Sequence, residues 1–468
     1  MRNVIISIAS AVLLCCQLEA GAQWNYQNID FMSRFDDPAV TAEPAYRIRY
    51  QSCWGWADPL TQREYGIIGS TAGTYIVEVT NPYQPVVRDY IPGRSTNRIW
   101  HEYKTYGNYL YIIADGGNNT LQIADLSYLP DSVHVVYDST GIFDSGHTHF
   151  IDGDRMYVAS VSKPGIPFSS MNVYSLDNPE LPTLLRRLDQ DFAAIGSVHD
   201  MFVTNDTVYA SCGYDGLYVF RYDTIQNSFS QLGSLVVYPD AGYNHSTFPD
   251  ASHEVLYMCD EVPDGMAVKV VDISDISNMV VVDTFYSNQG ATPHNPYVLN
   301  NELFIAYYQD GVQAYDITDP RNPVRNGYFD TYPTNPAGSY FSPAYKGCWA
   351  VYTDLPSGNL LASDMQQGLF VLDISQVMAS VNTLPDASAG IVCQPNPASD
   401  IINLHFQALA QESCLEIMDI SGRQVHKETI GNGTTQISIS TATWSQGIYL
   451  ARFTNGTTNT TTRICVTK

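Results

Sequence analysis

A short string of apolar, acidic, apolar and hydroxyl-bearing residues returns along most of this chain, and no other feature narrows the possible folds as far. It reads Val77-Glu78-Val79-Thr80, Ala124-Asp125-Leu126-Ser127, Val271-Asp272-Ile273-Ser274, Tyr315-Asp316-Ile317-Thr318 and Leu372-Asp373-Ile374-Ser375. Degenerate copies at Tyr174-Ser175-Leu176-Asp177 and Phe220-Arg221-Tyr222-Asp223 fill the gaps, which makes seven. Cys53, His101, His147, His199, His245, His294 and Cys348 keep the same period of roughly 50 residues. Each unit offers about four short segments rich in β-branched and aromatic residues, separated by turn dipeptides such as Asp115-Gly116, Asp215-Gly216 and Asp310-Gly311. Helical periodicity is nearly absent. Four-stranded units at this period predict an all-β fold, a seven-bladed β-propeller, in which radial packing leaves only short edges exposed.

The chain has 468 residues, enough for one large repeat domain and a small appendage. Arg2, the apolar run Val4 to Leu14 and the small-residue end Ala20-Gly21-Ala22 predict a signal peptide over 1–22. The propeller is expected over 23–383. Its last unit, from Cys348 to Val377, supplies only three strands, and the segment Ile29 to Phe35 is expected to complete that blade from the other end of the chain. A Pro, Asp and Ser linker follows at 384–391. Residues 392–468 then alternate as short strands and predict a small Ig-like β-sandwich.

Against 48 Asp plus Glu stand 23 Lys plus Arg, and the net charge of -25 argues against nucleic-acid binding. Divalent cations or cationic partners suit it better. No segment of the mature chain approaches the ~18 uninterrupted apolar residues of a transmembrane span.

In a propeller the innermost strand of each blade lines the central channel, so residues repeated just before it converge on one face. His101, His147, His199, His245 and His294 are in that register, and alternation allows His147 and His149 to share a side of the strand. Converging neutral imidazoles beside carboxylates suit zinc or another transition metal, which makes His147, His149, His199, His245 and His294 a candidate metal set. The competing reading gives each His a structural task, closing its blade onto the backbone of the next. Cys53 and Cys348 take the same register in the first and last blades, so a disulfide there would staple the closure. Cys212 and Cys259 form a second candidate pair. Trp54, Trp56, Trp100, Tyr243, Tyr297 and Trp349 crowd the strand starts, suited to blade packing, to stacking on a sugar or to gripping a peptide. The acidic segment from Asp260 to Gly265 reads as a solvated loop. Nucleophile-elbow, phosphate-loop, HExxH and CxxC patterns do not occur, so the corresponding enzyme templates lack support.

Two resemblances cover nearly the whole mature chain. Pro395-Asn396-Pro397-Ala398-Ser399-Asp400, Asp419-Ile420-Ser421-Gly422-Arg423, Trp444-Ser445-Gln446-Gly447-Ile448-Tyr449 and the terminal Lys468 resemble the type IX secretion sorting domain of Bacteroidota. That resemblance implies recognition of residues 392–468 by the type IX machinery, removal of the module on export, and a secreted or outer-membrane surface-attached product. The strings Arg63-Glu64-Tyr65-Gly66-Ile67-Ile68-Gly69-Ser70-Thr71, Leu369-Phe370-Val371-Leu372-Asp373-Ile374, Val198-His199-Asp200 and Pro293-His294-Asn295 resemble LVIVD-repeat propellers of the surface-anchored bacterial type. This second likeness implies a fold and a cell-surface setting and carries no catalytic mechanism. The function expected from sequence is therefore binding of an extracellular glycan or protein at the channel face, involving His101, His147, His149, His199, His245 and His294. The alternative is a metal-dependent hydrolase or lyase using the histidine ring to hold a divalent cation.

Overall fold

The computed structural model describes residues 24–95, 98–116, 119–333, 340, 342–380, 392–394, 398–405, 413–419, 423–455 and 458–467. The expected signal peptide at 1–22, the linker at 384–391 and Pro395-Asn396-Pro397 lie outside them. The chain divides into two compact units between Val381 and Asn382.

Each repeat of the first unit folds as an antiparallel meander, because short β-branched and aromatic runs are joined by connections too tight to leave the sheet. Seven four-stranded sheets result among the described residues, one of them widened to five strands by Tyr26–Gln27. Their first strands are Tyr50–Ala57, His101–Tyr106, His149–Asp152, Asp200–Thr204, Asn244–Pro249, Asn295–Leu299 and Cys348–Tyr352. Each of these contacts the first strand of the next sheet, and Cys348–Tyr352 returns to Tyr50–Ala57, so the seven form a closed ring. The architecture is all-β and propeller-like.

Seven apolar cores lie between neighbouring sheets, one per seam. Tyr157 and Met171 of the third sheet meet Val208 and Phe220 of the fourth, and Tyr257 and Val270 of the fifth meet Ile305 and Tyr315 of the sixth. The last seam sets Leu361 and Leu369 of the seventh sheet against Ile68 and Val77 of the first. No single core holds the unit together; the fold is a cycle of equivalent face-to-face contacts. Two turn glycines meet the backbone demand that the sequence announced. Gly216 and Gly311 adopt φ +88° and +72°, and a Cβ at either would collide with the main chain of the neighbouring strand.

The seventh sheet holds three strands from the end of the repeats and one from the beginning. Asp30–Phe35 pairs antiparallel with Gly368–Asp373, Phe31 opposite Leu372 and Arg34 opposite Phe370. Ile29, fully buried, enters the core shared by the sixth and seventh sheets. The expected completion of the last blade by the start of the chain is what the structure has.

The second unit contains a three-stranded sheet (Val392–Gln394, Ile401–His405, Gln436–Ser440) and a four-stranded sheet (Gln424–Ile430, Ser413–Asp419, Gly447–Asn455, Thr458–Val466). Ile402, Leu404 and Ile439 of the one pack with Leu415, Ile417 and Ile464 of the other.

Candidate functional site

The first strands line a cavity of about 260 Å³. Alternation along each strand arranges its walls in layers, since residues two apart face the same side.

The layer farthest along the strands is aromatic. Phe150, Phe202, Phe248, Tyr297, Tyr352 and Trp54 follow one another around the ring with centroid separations of 5.3, 4.5, 5.1, 6.5 and 4.7 Å. The second sheet has Lys104 in this register, and its ammonium closes the circle 4.3 Å above the Trp54 ring. Two residues earlier stand Ser52, Glu102, Thr148, Asp200, Ser246 and Asn295. Their hydroxyls and amide tie one sheet to the next: Ser52 donates to the Glu102 carboxylate (2.9 Å), Thr148 to the His199 carbonyl and the Asp200 carboxylate (3.1 Å each), and Asn295 to the Trp349 carbonyl (3.2 Å). Glu102 and Asp200 are the two carboxylates of the layer. Burial raises the pKa of both, and the Lys104 ammonium partly opposes that rise.

One residue earlier again is the histidine register, which consists of Gln51, His101, His147, His199, His245, His294 and Trp349. Four of the predicted imidazoles come together. His147, His199, His245 and His294 form an arc with successive ring centroids 4.0, 4.3 and 4.2 Å apart, and Trp349 continues it 4.6 Å from His294. At one end His147 Nδ1 meets the Asp115 carboxylate at 2.8 Å. Burial lowers the His147 pKa, but Asp115 outweighs it and the net shift is upward. The imidazole in turn holds Asp115 below the usual carboxylate range. His147 Nε2 lies 3.0 Å from His199 Nε2, and His199 Nδ1 lies 2.9 Å from the Tyr243 hydroxyl. A close nitrogen–nitrogen contact needs one proton between the two lone pairs. Either ring can supply it: a protonated His147 donates to His199, or His199 Nε2–H donates to a neutral His147 whose Nδ1–H meets Asp115 while the Tyr243 hydroxyl donates to His199 Nδ1. Burial, then the His147 charge, lowers His199 well below its ordinary value. Burial does the same to His245 and brings His294 down to about 3, so three of the four rings are neutral.

His101 and His149 stand outside the arc. His101 turns into the seam, where its Nδ1 meets the Gln51 side chain at 2.5 Å and burial lowers its pKa to about 4. His149 belongs to the opposite face of its strand from Phe150, buried, and neither ring nitrogen meets a hydrogen-bond partner.

The cysteines correct the sequence reading twice. Counting back from the aromatic layer puts Gln51 and Trp349, not Cys53 and Cys348, in the histidine register; Cys53 lies two residues after it and Cys348 one residue before it. All four thiols are also free. The Cys53 thiol faces the Ala350 and Leu361 carbonyls, and Cys212 faces the Ala210 carbonyl, so neither the Cys53–Cys348 nor the Cys212–Cys259 bridge is formed.

The acidic segment supplies the residue that sequence reasoning missed. Asp260 is fully buried and Glu261 is 8% exposed, whereas Val262, Pro263 and Asp264 are the exposed loop that the sequence suggested. Glu261 accepts a hydrogen bond from the Tyr308 hydroxyl at 2.6 Å, and its carboxylate lies with His245 and His294 in one cluster whose ligand atoms are all within 4.8 Å of one another. Glu102 and Lys104 could have been found, since the alternation His101-Glu102-Tyr103-Lys104 puts both on one face. Nothing in the sequence separates Glu261 from a surface acid.

Residues 393–467 match the family model of the secretion system C-terminal sorting domain, the type IX export signal, so the protein is secreted or displayed at the cell surface. No curated protein matches the chain. Among solved structures, the RRP9 WD40 repeats align at 10% identity over 75% of this chain and 100% of that one, TM-score 0.48. A Bacteroides fragilis protein described as a candidate 6-phosphogluconolactonase aligns at 10% identity over 85% and 99%, TM-score 0.48. A computationally designed protein, Ika8, aligns at 10% identity over 69% and 82%, TM-score 0.43. The fold assignment rests on the seven sheets and their closure. No helix among the described residues is long and apolar enough to cross a membrane.

Proposed function

We propose that this chain is an exported seven-bladed propeller of the LVIVD-repeat type over residues 23–383, carried out of the cell by an Ig-like sorting sandwich at 392–468, and that its axial cavity binds the end of an extracellular glycan. The observation that carries the reading is the composition of the cavity wall. Five rings of the aromatic layer, Trp54, Phe150, Phe202, Phe248 and Tyr297, line the cavity and offer flat apolar faces on which a sugar ring stacks. Glu102, Asp200 and Lys104 stand beside them as acceptors and donor for hydroxyl groups, and a cavity of about 260 Å³ suits one or two small rings better than a folded protein surface.

A glycan screen on the mature chain tests this. The expected result is selective binding of one glycan terminus, weakened about tenfold or more by Asp200→Asn and by Lys104→Met, since each variant leaves a buried polar partner unmatched. Absence of glycan binding, or a peptide ligand insensitive to both substitutions, would overturn the proposal.

A further inference from the structure

We infer that His245, Glu261 and His294 form a binding site for one divalent first-row transition ion, of which zinc is the natural probe. The inference is independent of the glycan reading. Its ligands differ from the set expected from sequence: His147 and His199 are tied to Asp115 and Tyr243, and His149 lies apart, whereas Glu261 joins the two remaining imidazoles.

Three observations point the same way. The first is tautomer. His294 Nδ1 lies 2.7 Å from the Trp349 carbonyl, which accepts only, so the ring proton sits on Nδ1 and the Nε2 lone pair is free. A backbone carbonyl holding the far nitrogen is the usual outer support of a metal-bound histidine. The second is unmet polarity. His294 Nε2 and His245 Nδ1 are both buried without a hydrogen-bond partner, on side chains 1% and 6% exposed. Such orphaned polar atoms are rare in folded proteins and costly unless something satisfies them. The third is orientation of the carboxylate, which the Tyr308 hydroxyl fixes at 2.6 Å while Tyr308 itself stacks on the His294 ring at 4.5 Å. The His294 Nε2 lone pair, the Glu261 carboxylate and the His245 ring thus converge, and a cation is the group that satisfies them together.

The donor set selects the ion. Ca²⁺ and Mg²⁺ prefer oxygen ligands in larger number, whereas two nitrogens and one carboxylate oxygen suit zinc and its neighbours. Ligand atoms within 4.8 Å of one another would be drawn in by about 1 Å on an ion that holds them at about 2.0–2.2 Å. His245 and His294 also line the axial cavity, so the bound ion would face whatever enters it.

The test uses the full mature chain, stripped with chelator, then titrated with Zn²⁺ under chelator competition and with Co²⁺ monitored by visible absorption. One tightly held ion per chain is expected, with cobalt bands of a low-coordinate nitrogen and oxygen site. Glu261→Gln and His294→Gln should each weaken affinity about 100-fold or more, and Tyr308→Phe about 10–100-fold, while His149→Gln leaves it unchanged. Circular dichroism of each variant separates lost ligands from lost fold, and the cobalt spectrum of the unaltered chain decides the matter even if a variant fails to fold. Absence of stoichiometric binding of either ion, or retention of full affinity in both Glu261→Gln and His294→Gln, overturns the inference.

Discussion

Lys269 carries a charge where no sequence pattern suggests one, in the middle of Val268-Lys269-Val270-Val271, and it is fully buried. Its ammonium lies 2.7 Å from Asp260, also fully buried, and that carboxylate further accepts from the Tyr238 hydroxyl at 3.1 Å and the Gly242 amide at 2.9 Å. Lys269→Met keeps the length and most of the apolar stem but leaves Asp260 charged and short of its counter-ion. Removing one partner of a buried pair costs about 3–5 kcal/mol, because the remaining charge stays desolvated. At about 2 °C per kcal/mol for a unit of this size, the melting midpoint should fall by about 6–10 °C. The informative comparison is the double variant. Asp260→Asn in the Lys269→Met background removes the stranded charge and keeps an acceptor for Gly242 and Tyr238, so it should recover half or more of the loss. Urea unfolding of the four proteins gives the coupling directly. A single-variant loss under about 1 kcal/mol, or a double variant no better than Lys269→Met, would refute the reasoning.

Asp364 gives a pH signature. Burial raises its pKa from the ordinary 3.8 to about 6, against the opposing effect of bonds from Thr331, Gln366 and Gln367. A carboxyl raised on folding binds more protons in the native state than in the unfolded one, so its contribution is complete below about pH 4 and is lost as pH rises through about 6, by about 3 kcal/mol. Asp364→Asn should flatten the melting temperature against pH between 4 and 6, and an unchanged slope would exclude the assignment. Gly311→Ala should cost about 2–5 kcal/mol in the same urea assay, from a strained φ and a Cβ driven into the Phe329 carbonyl; a loss below 1 kcal/mol would mean that the turn relaxes freely. Burial pushes the Cys53 thiol up to about 12, and the other three propeller thiols also rise, so all four should resist alkylation in the native protein and label fully in denaturant. A Cys53–Cys348 cross-linked peptide in a non-reducing map would contradict the free thiols.

Periodicity made the fold legible. A string recurring seven times, with turn dipeptides between β-rich runs, gives the strand count, the closing role of Ile29 to Phe35 and the inward face of each first strand. Register was less legible. Cys53 lies two positions and Cys348 one position off the histidine register, and a period of roughly 50 residues that itself varies from repeat to repeat does not resolve offsets that small. The site was half legible. His147, His199, His245 and His294 announced themselves by repetition, whereas Glu261 reaches them from a loop used once, and Asp260 and Lys269 are buried only because each has the other. Repetition exposes what every unit shares; a binding site depends on where the units differ.

The seventh sheet also sets the terms on which this chain can become soluble. Until Asp30–Phe35 reaches Gly368–Asp373, the first six sheets form an open arc with a bare seam at each end and an unpaired strand edge beside it. Joining ends so far apart adds little to the equilibrium cost, since closure entropy grows only with the logarithm of loop length. The wait is the hazard, because contacts this distant in sequence form late, and an exposed edge invites pairing with another chain. Synthesis order sharpens the point: Tyr26–Gln27 and Asp30–Phe35, the two strands made first, pair with Val324–Phe329 and Gly368–Asp373, so nearly the whole repeat array must exist before either finds its neighbour. Anything that delays release of the first strand, such as a fused tag or an uncleaved leader, should therefore act on yield and aggregation far more than on the stability of the closed ring.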